Sequence, residues 1–297
     1  MLMINIEKLN YIQDKYYCEG KLFTGVGFRT SGERVEDVCK FENGVSTDIY
    51  RSKYFPNDTN IPHIDIDYID FTGEYLDAYA FYKNKRFSGI AYELEGEQEF
   101  CLGQHLIEDG LTVVSLRWHP SGENQSLRLD REGIVQAFEW FKDGSLKEVS
   151  LYSTEYRKIL ISISIGEAKH LKSVWIEENY FEWILKYSSQ LEHQYFESRN
   201  SFEDYTVAPT FSLIKSGIND VVFHSIASNE GFKDVSKIII SNTSLTEVAL
   251  IELASIKSLK QITLSDGKRD LLSIAKELKR KRPDCLIKLD EQKIAIT

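Results

Sequence analysis

Cysteine is scarce in this chain: Cys18, Cys39, Cys101 and Cys285 are the four in 297 residues, scattered and never at CxxC spacing. That excludes a disulfide scaffold and a zinc ribbon, and it suits a reducing cytoplasm. No stretch approaches the roughly 18 consecutive apolar residues that a membrane span needs. The opening Met1-Leu2-Met3-Ile4-Asn5-Ile6-Glu7 lacks the basic head and long apolar run of a signal peptide, so a soluble cytoplasmic protein is expected. Six histidines are dispersed without an H-E-x-x-H or H-x-E pattern, and no serine stands in a G-x-S-x-G elbow. With no catalytic signature, the expectation is a protein that is not an enzyme and carries no cofactor. Basic residues concentrate only between Lys268 and Arg282, where Asp270 and Glu277 interrupt them, so direct nucleic-acid binding is not expected. Cations at a helix C-terminus, which complement its dipole, account for that run.

Acidic charge is what the chain does have, and it is unevenly placed. The net charge is −10, and residues 57–116 hold 12 acids against three bases, a local net of −9. A field of that sign repels nucleic acid and speeds association with a basic protein. Aromatic residues are plentiful as well, with 16 Tyr, 16 Phe and 4 Trp.

The chain also nearly repeats itself. Lys21–Glu33 reads KLFTGVGFRTSGE and Lys85–Glu97 reads KRFSGIAYELEGE, with Thr24 and Ser88 a conservative pair. From about Leu22 to Tyr152, aromatic or β-branched residues alternate with polar ones between glycine turns. Those turns are Ser31-Gly32, Asn43-Gly44, Thr72-Gly73, Glu95-Gly96, Asp109-Gly110, Ser121-Gly122 and Asp143-Gly144, which read as hairpins because glycine accepts positive φ. Gly25-Val26-Gly27 reads as hairpin geometry rather than a phosphate loop, since its twin is Gly89-Ile90-Ala91. Residues 1–17 read as a short helix or lead-in, with Ile4, Leu9, Ile12 and Tyr16 about one face apart.

The aromatic, Gly-Glu and Asp-Gly units, about 23 residues apart over residues 20–150, resemble MORN-type repeats, in the variant found in bacterial antitoxin and immunity proteins. The resemblance implies an array of antiparallel hairpins and a role in binding another protein. Strands are expected to continue through 156–165, 171–176 and 180–187, with a helix as the alternative over 180–187. From Ile218 the period changes: Val235, Ile238 and Ile240 are answered 24 residues later by Leu259, Ile262 and Leu264. This run resembles a leucine-rich repeat, with a third strand at Leu286, a helix over Leu271–Lys281 and an upstream strand at Ile218–Phe223. The expected organisation is a mainly β domain over 1–190, a linker over 191–215 and a small α/β domain over 216–297.

Function is then expected from binding. The sharpest reading is an immunity protein or antitoxin that covers the active site of a toxin domain, with a basic nuclease as the fitting class, because such a site must hold phosphate. The candidate contact residues are Asp65, Asp67, Asp70, Glu74 and Asp77, with Trp118 as the aromatic anchor. One alternative is a scaffold protein of a cellular or membrane-associated assembly. Another is a metal-dependent enzyme using His63, Asp65 and Asp67, which strand alternation would place on one face.

Overall fold

The computed structural model describes residues 2–56, 60–73, 78–96, 99–131, 133–154, 158–166, 170–177, 206–227, 230–290 and 292–293. The protein is mainly β, rich in antiparallel hairpins, with a small helical part. It divides into two compact units, Met1–Glu132 with Ala137–Gly144 and Gly133–Gln136 with Ser145–Thr297. The division thus falls near residues 133–145 rather than near 190. Part of the expected linker, Thr206–Ile214, is a paired strand.

In the first unit one run of elements occurs twice. The first run is β1 (Met3–Asn5), a 3-10 turn (Ile6–Lys8), β2 (Asn10–Ile12), β3 (Lys15–Cys18), β4 (Lys21–Leu22), β5 (Gly25–Ser31), β6 (Arg34–Glu42) and β7 (Val45–Ile49). The second is β8 (His63–Asp65), a 3-10 turn (Ile66–Tyr68), β9 (Asp70–Thr72), β10 (Tyr79–Tyr82), β11 (Lys85–Arg86), β12 (Gly89–Glu95), β13 (Phe100–Glu108) and β14 (Leu111–Trp118). The segment expected as a helical lead-in is therefore strand, turn and hairpin. Ile4, Ile6 and Leu9 are all buried, which a strand running into a turn satisfies.

The two copies complete each other. β1 pairs in parallel with β5 of its own copy and antiparallel with β13 of the other, at Ile4↔Phe100. β8 likewise pairs in parallel with β12 and antiparallel with β6, at Ile64↔Arg34. With the hairpins β5–β6 and β12–β13, these pairings close a ring of six strands. A closed ring leaves no open edge along its path, which is how β proteins avoid unwanted pairing.

The duplication extends to single hydrogen bonds. The Asn5 amide donates to the Glu99 carbonyl and the Asp65 amide to the Glu33 carbonyl, both at 2.9 Å. Thr24 Oγ1 accepts from the Asn43 amide at 3.1 Å, and Ser88 Oγ accepts from the Asp109 amide at 2.9 Å. That shared role explains why a hydroxyl recurs in the near-repeated segments.

Each copy has its own small core. Ile4, Leu9, Phe23 and Phe41 cluster in the first, and Ile64, Ile69, Phe87 and Ile107 in the second. Burying each phenylalanine contributes about 2 kcal/mol. Packing also fixes the glycines once read as a hairpin turn, which instead open strand β5. A Cβ at Gly25 would lie 2.6 Å from the Leu2 carbonyl oxygen, and one at Gly89 would lie 2.5 Å from that of Pro62. At Gly27 a Cβ would meet Ile6 and Phe41 at 2.6 Å; its twin Ala91 carries a methyl, opposite the smaller Ile107. The seven turn glycines read from sequence all have positive φ.

After β15 (Asn124–Arg131) and β16 (Ile134–Trp140), the second unit runs through β17 (Leu146–Ser153), β18 (Lys158–Gly166) and β19 (His170–Ile176), antiparallel neighbours. β20 (Thr206–Ile214) then joins in parallel. α1 (Asp220–Ala227), β21 (Lys237–Ser241), α2 (Glu247–Glu252), β22 (Gln261–Ser265), α3 (Leu272–Lys281), β23 (Leu286–Leu289) and β24 (Gln292–Lys293) complete it. β20 to β23 are parallel, with Ile238, Ile262 and Ile287 aligned across three strands. The strand expected at Ile218–Phe223 is largely helix: Ile218, Val222, Phe223 and Ile226 are buried at helical spacing, and Asn219 accepts from the Val222 amide at 3.1 Å. The expected strand at 180–187 lies outside the described residues.

Two arginines of the basic run are structural. Arg269 donates to the carbonyls of Thr243 and Leu245, and Arg282 to those of Ile256 and Leu259, at 2.6–2.8 Å.

Adding a methyl where β12 meets the chain entering β8 should strain the ring. Gly89→Ala is expected to lower stability by about 1–3 kcal/mol, from overpacking against backbone. Urea unfolding with an unchanged midpoint would contradict this close-approach constraint.

Candidate functional site

The polar ends of β1 and β8 start the same local motif. Asn5 Oδ1 accepts from the Glu7 amide at 3.1 Å, and Asp65 Oδ1 accepts from the Asp67 amide at 3.2 Å, each capping its 3-10 turn. Asp65 is only 2% exposed, so it is a buried cap and not the surface acid expected from the charge pattern. The strand ends at Asp65 and the turn begins at Ile66, so His63, Asp65 and Asp67 do not share a strand face. His63 Nδ1 instead lies 3.0 Å from the Tyr92 hydroxyl. Burial, helped by the charge of Arg51, lowers the His63 pKa below its usual 6.5. Among the described residues no group of three or more His, Cys, Asp or Glu is placed to hold a metal ion.

Trp118 is not an exposed anchor. It is 4% exposed, on the same face of β14 as the buried Val114 and Leu116. Period-two alternation turns its ring inward with them. Glu74 and Asp77 lie outside the described residues. Asp67 and Asp70 are exposed, as expected.

What accompanies these two acids is more informative. Ile69, buried in the second core, pins the segment, while Tyr68 and Phe71 on either side are 50% and 47% exposed. The result is an exposed strip in which Asp67, Tyr68, Asp70 and Phe71 all face solvent. The matching positions of the first copy are Glu7, Lys8, Asn10 and Tyr11, also exposed. The fold therefore presents an aromatic at this edge in both copies, but only the second surrounds it with acids and no base.

Asp67 and Phe71 also line an open groove of about 940 Å³ in the first unit. Other lining residues come from successive strands: Glu93 on β12, His105 on β13, Arg117 on β14, and Arg128 and Asp130 on β15. Glu93 Oε1 accepts from Arg117 at 2.5 Å, and its other oxygen is 3.6 Å from His105 Nε2. His105 first, and Arg117 after it, hold the Glu93 carboxyl below the usual carboxylate range. Arg128 and Asp130 approach within 3.7 Å, and burial raises the Asp130 pKa against the pull of that arginine. These groups largely neutralise one another, and of the acids lining the groove Asp67 is the exposed one, with Asp70 exposed nearby in the chain.

The Glu93–His105–Arg117 network had no local motif, because its members sit on three strands. The divergence of Tyr92-Glu93-Leu94-Glu95 from Phe28-Arg29-Thr30 was the signal that pointed toward it.

No family model matches the sequence, and no curated protein matches it either. Two solved structures show remote similarity. A structure of accessory secretory protein 1, 2 and 3 from Streptococcus pneumoniae is 13% identical, over 74% of this chain and 41% of that one, with a TM-score of 0.19. The glycosylation-associated Gap123 complex from Streptococcus agalactiae is 16% identical, over 81% of this chain and 43% of that one, with a TM-score of 0.24. The chain thus spans less than half the length of either, and scores this low define no shared fold.

The buried and exposed acids should separate in their effect on stability. Asp65→Ala is expected to cost about 1–2 kcal/mol through loss of the cap, and Asp65→Asn much less, since Asn5 serves the same turn in the first copy. Asp67→Asn and Asp70→Asn should stay within about 0.5 kcal/mol of the parent. Thermal denaturation of the four variants checks the order, and equal losses at all three positions would contradict it.

Proposed function

We propose that the chain is a non-catalytic binding protein of the bacterial antitoxin or immunity type, acting in the cytoplasm on a basic toxin domain. A nuclease is the toxin class that fits best. In this reading the hairpins of the first unit are MORN-like repeats, and β21 to β23 with their helices form a short leucine-rich-repeat-like segment.

One observation carries the proposal: Asp67, Tyr68, Asp70 and Phe71 are exposed together beside an open groove. Exposed aromatic rings supply the apolar contact that dominates binding hot spots. Acids around them steer a cationic partner and disfavour neutral or acidic ones. A nuclease site, basic so as to hold phosphate, would meet both features and lose access to its substrate. Glu93 in the groove is committed to Arg117 and His105.

A scaffold function is the second reading. Val221, Val248 and Leu272, all in the first turns of α1, α2 and α3, are exposed apolar residues on the second unit. Exposed apolar groups in one such set mark interaction surfaces when they are contiguous.

The test is affinity purification from native cells, followed by binding measurements on the partner recovered. A basic toxin domain should bind more weakly in 500 mM than in 50 mM salt. The double variant Asp67→Asn/Asp70→Asn should weaken it about tenfold, mainly through the association rate, and Phe71→Ala by a similar factor. An acidic partner, or an affinity unmoved by salt and by all three substitutions, would sink the reading. Loss on altering Val248 and Leu272 alone would favour the scaffold function.

A further inference from the structure

The first unit contains a second concavity, a pocket of about 280 Å³ whose walls include Val38, Phe55 and Ile90. His63, Tyr92 and Gln104 line it too, and Ile49 and Arg51 are exposed lining residues that mark its rim. Comparing the copies shows how unusual its polar side is. Met3 pairs with Val26 as His63 pairs with Ile90, so Met3 is the counterpart of His63. By the same registers Phe28 corresponds to Tyr92; Val38, next to the Cys39 that pairs with Gly27, holds the place of Gln104, next to the His105 that pairs with Ala91, although the first copy is bulged there. Met3, Phe28 and Val38 are all buried. The backbone ring therefore forms with apolar side chains at these three positions, and the second copy has polar ones at all three.

Their hydrogen bonding is incomplete. The Tyr92 hydroxyl and His63 Nδ1 satisfy one another at 3.0 Å. The Gln104 amide is within hydrogen-bond reach of the Tyr92 hydroxyl, and its Nε2 donates to Met3 Sδ at 3.7 Å; a thioether accepts but cannot donate, which sets the nitrogen toward Met3. Gln104 is 1% exposed, yet its Oε1 has no hydrogen-bond partner among the described residues. A buried acceptor left unpaired is costly, and in native proteins it calls for an explanation. Here the oxygen belongs to a residue that lines a largely apolar pocket.

We propose that this pocket binds a small neutral ring compound carrying one hydrogen-bond donor. The ring occupies the space between Val38, Phe55 and Ile90, and its N–H or O–H donates to Gln104 Oε1, which a turn of the buried Gln104 amide brings to the pocket surface. Pockets that combine apolar walls with few fixed polar groups are the usual form of small-molecule sites. The charged lining residues Asp37 and Arg51 are exposed at the rim, and burial lowers the His63 pKa, so the inner wall offers no formal charge to an ionic ligand near neutral pH. This site is separate from the acidic strip, and its failure would leave the partner-binding proposal standing.

The probe is indole, titrated into the full chain by calorimetry, with benzofuran as a ring of the same shape that lacks the N–H. Indole should bind saturably, and benzofuran about five- to tenfold more weakly, the factor expected for one net hydrogen bond. Gln104→Leu should bring the two probes to equal affinity. Ile49→Trp, at the exposed rim and so without effect on folding, should exclude both. The proposal is overturned if indole does not bind the native chain at millimolar concentration. It is equally overturned if neither substitution changes indole binding. Should Gln104→Leu fail to fold, the benzofuran comparison and Ile49→Trp decide the matter.

Discussion

Two backbone hydrogen bonds hold the first unit in its form. The Asn5 amide reaches the Glu99 carbonyl and the Asp65 amide reaches the Glu33 carbonyl, so each copy contributes its first strand to the ladder of the other. Neither copy has a complete ring alone. β1 needs β13, and β8 needs β6, before their outer edges are paired. Backbone groups buried in such a ring must find partners, and for the outer edges of β1 and β8 the partner is in the other copy. The glycines at Gly25 and Gly89 follow from the same constraint, because each faces a carbonyl of the chain leading into the exchanged strand.

A ring specified by backbone pairing leaves many side chains free to differ between copies. On the surface, Lys8 and Asn10 of the first copy are matched by Tyr68 and Asp70 in the second. Inside, Met3, Phe28 and Val38 are matched by His63, Tyr92 and Gln104. The second copy has thus gained acidity outside and polarity inside at places where the first shows that the fold needs neither. One exception supports the rule. Asn5 and Asp65 both keep a side-chain oxygen because the 3-10 turn requires a cap. At both proposed sites the copies diverge at side chains for which the first copy shows that the ring closes without them.

Much of the local structure was legible in the sequence. Glycine after Asn, Asp, Ser, Thr or Glu marked turns correctly because positive φ is a property of the residue itself. The 24-residue spacing of Ile238 and Ile262 was legible because parallel strands in register repeat their buried positions. Ring closure was not legible, since the pairing of Ile4 with Phe100 joins residues far apart and leaves no local pattern. The same gap explains the misplaced site residues. Asp65 is acidic and lies in an acidic segment, but its burial comes from being walled in by strands of both copies. Trp118 looked like an anchor because aromatics favour interfaces, yet its strand face was set by Val114 and Leu116. Asp67 and Asp70 are exposed because a 3-10 turn and a short edge strand leave them in solvent.

Amide hydrogen exchange, followed residue by residue by NMR, tests the closed ring most directly. Asn5 and Asp65 stand at the ends of three-residue strands, which would fray quickly if they were held on one side only. With the ring closed, both amides should exchange slowly, at similar rates, and together with the central amides of β5 and β12. Rapid exchange of either amide while β5 and β12 remain protected would show that the copies do not close on each other.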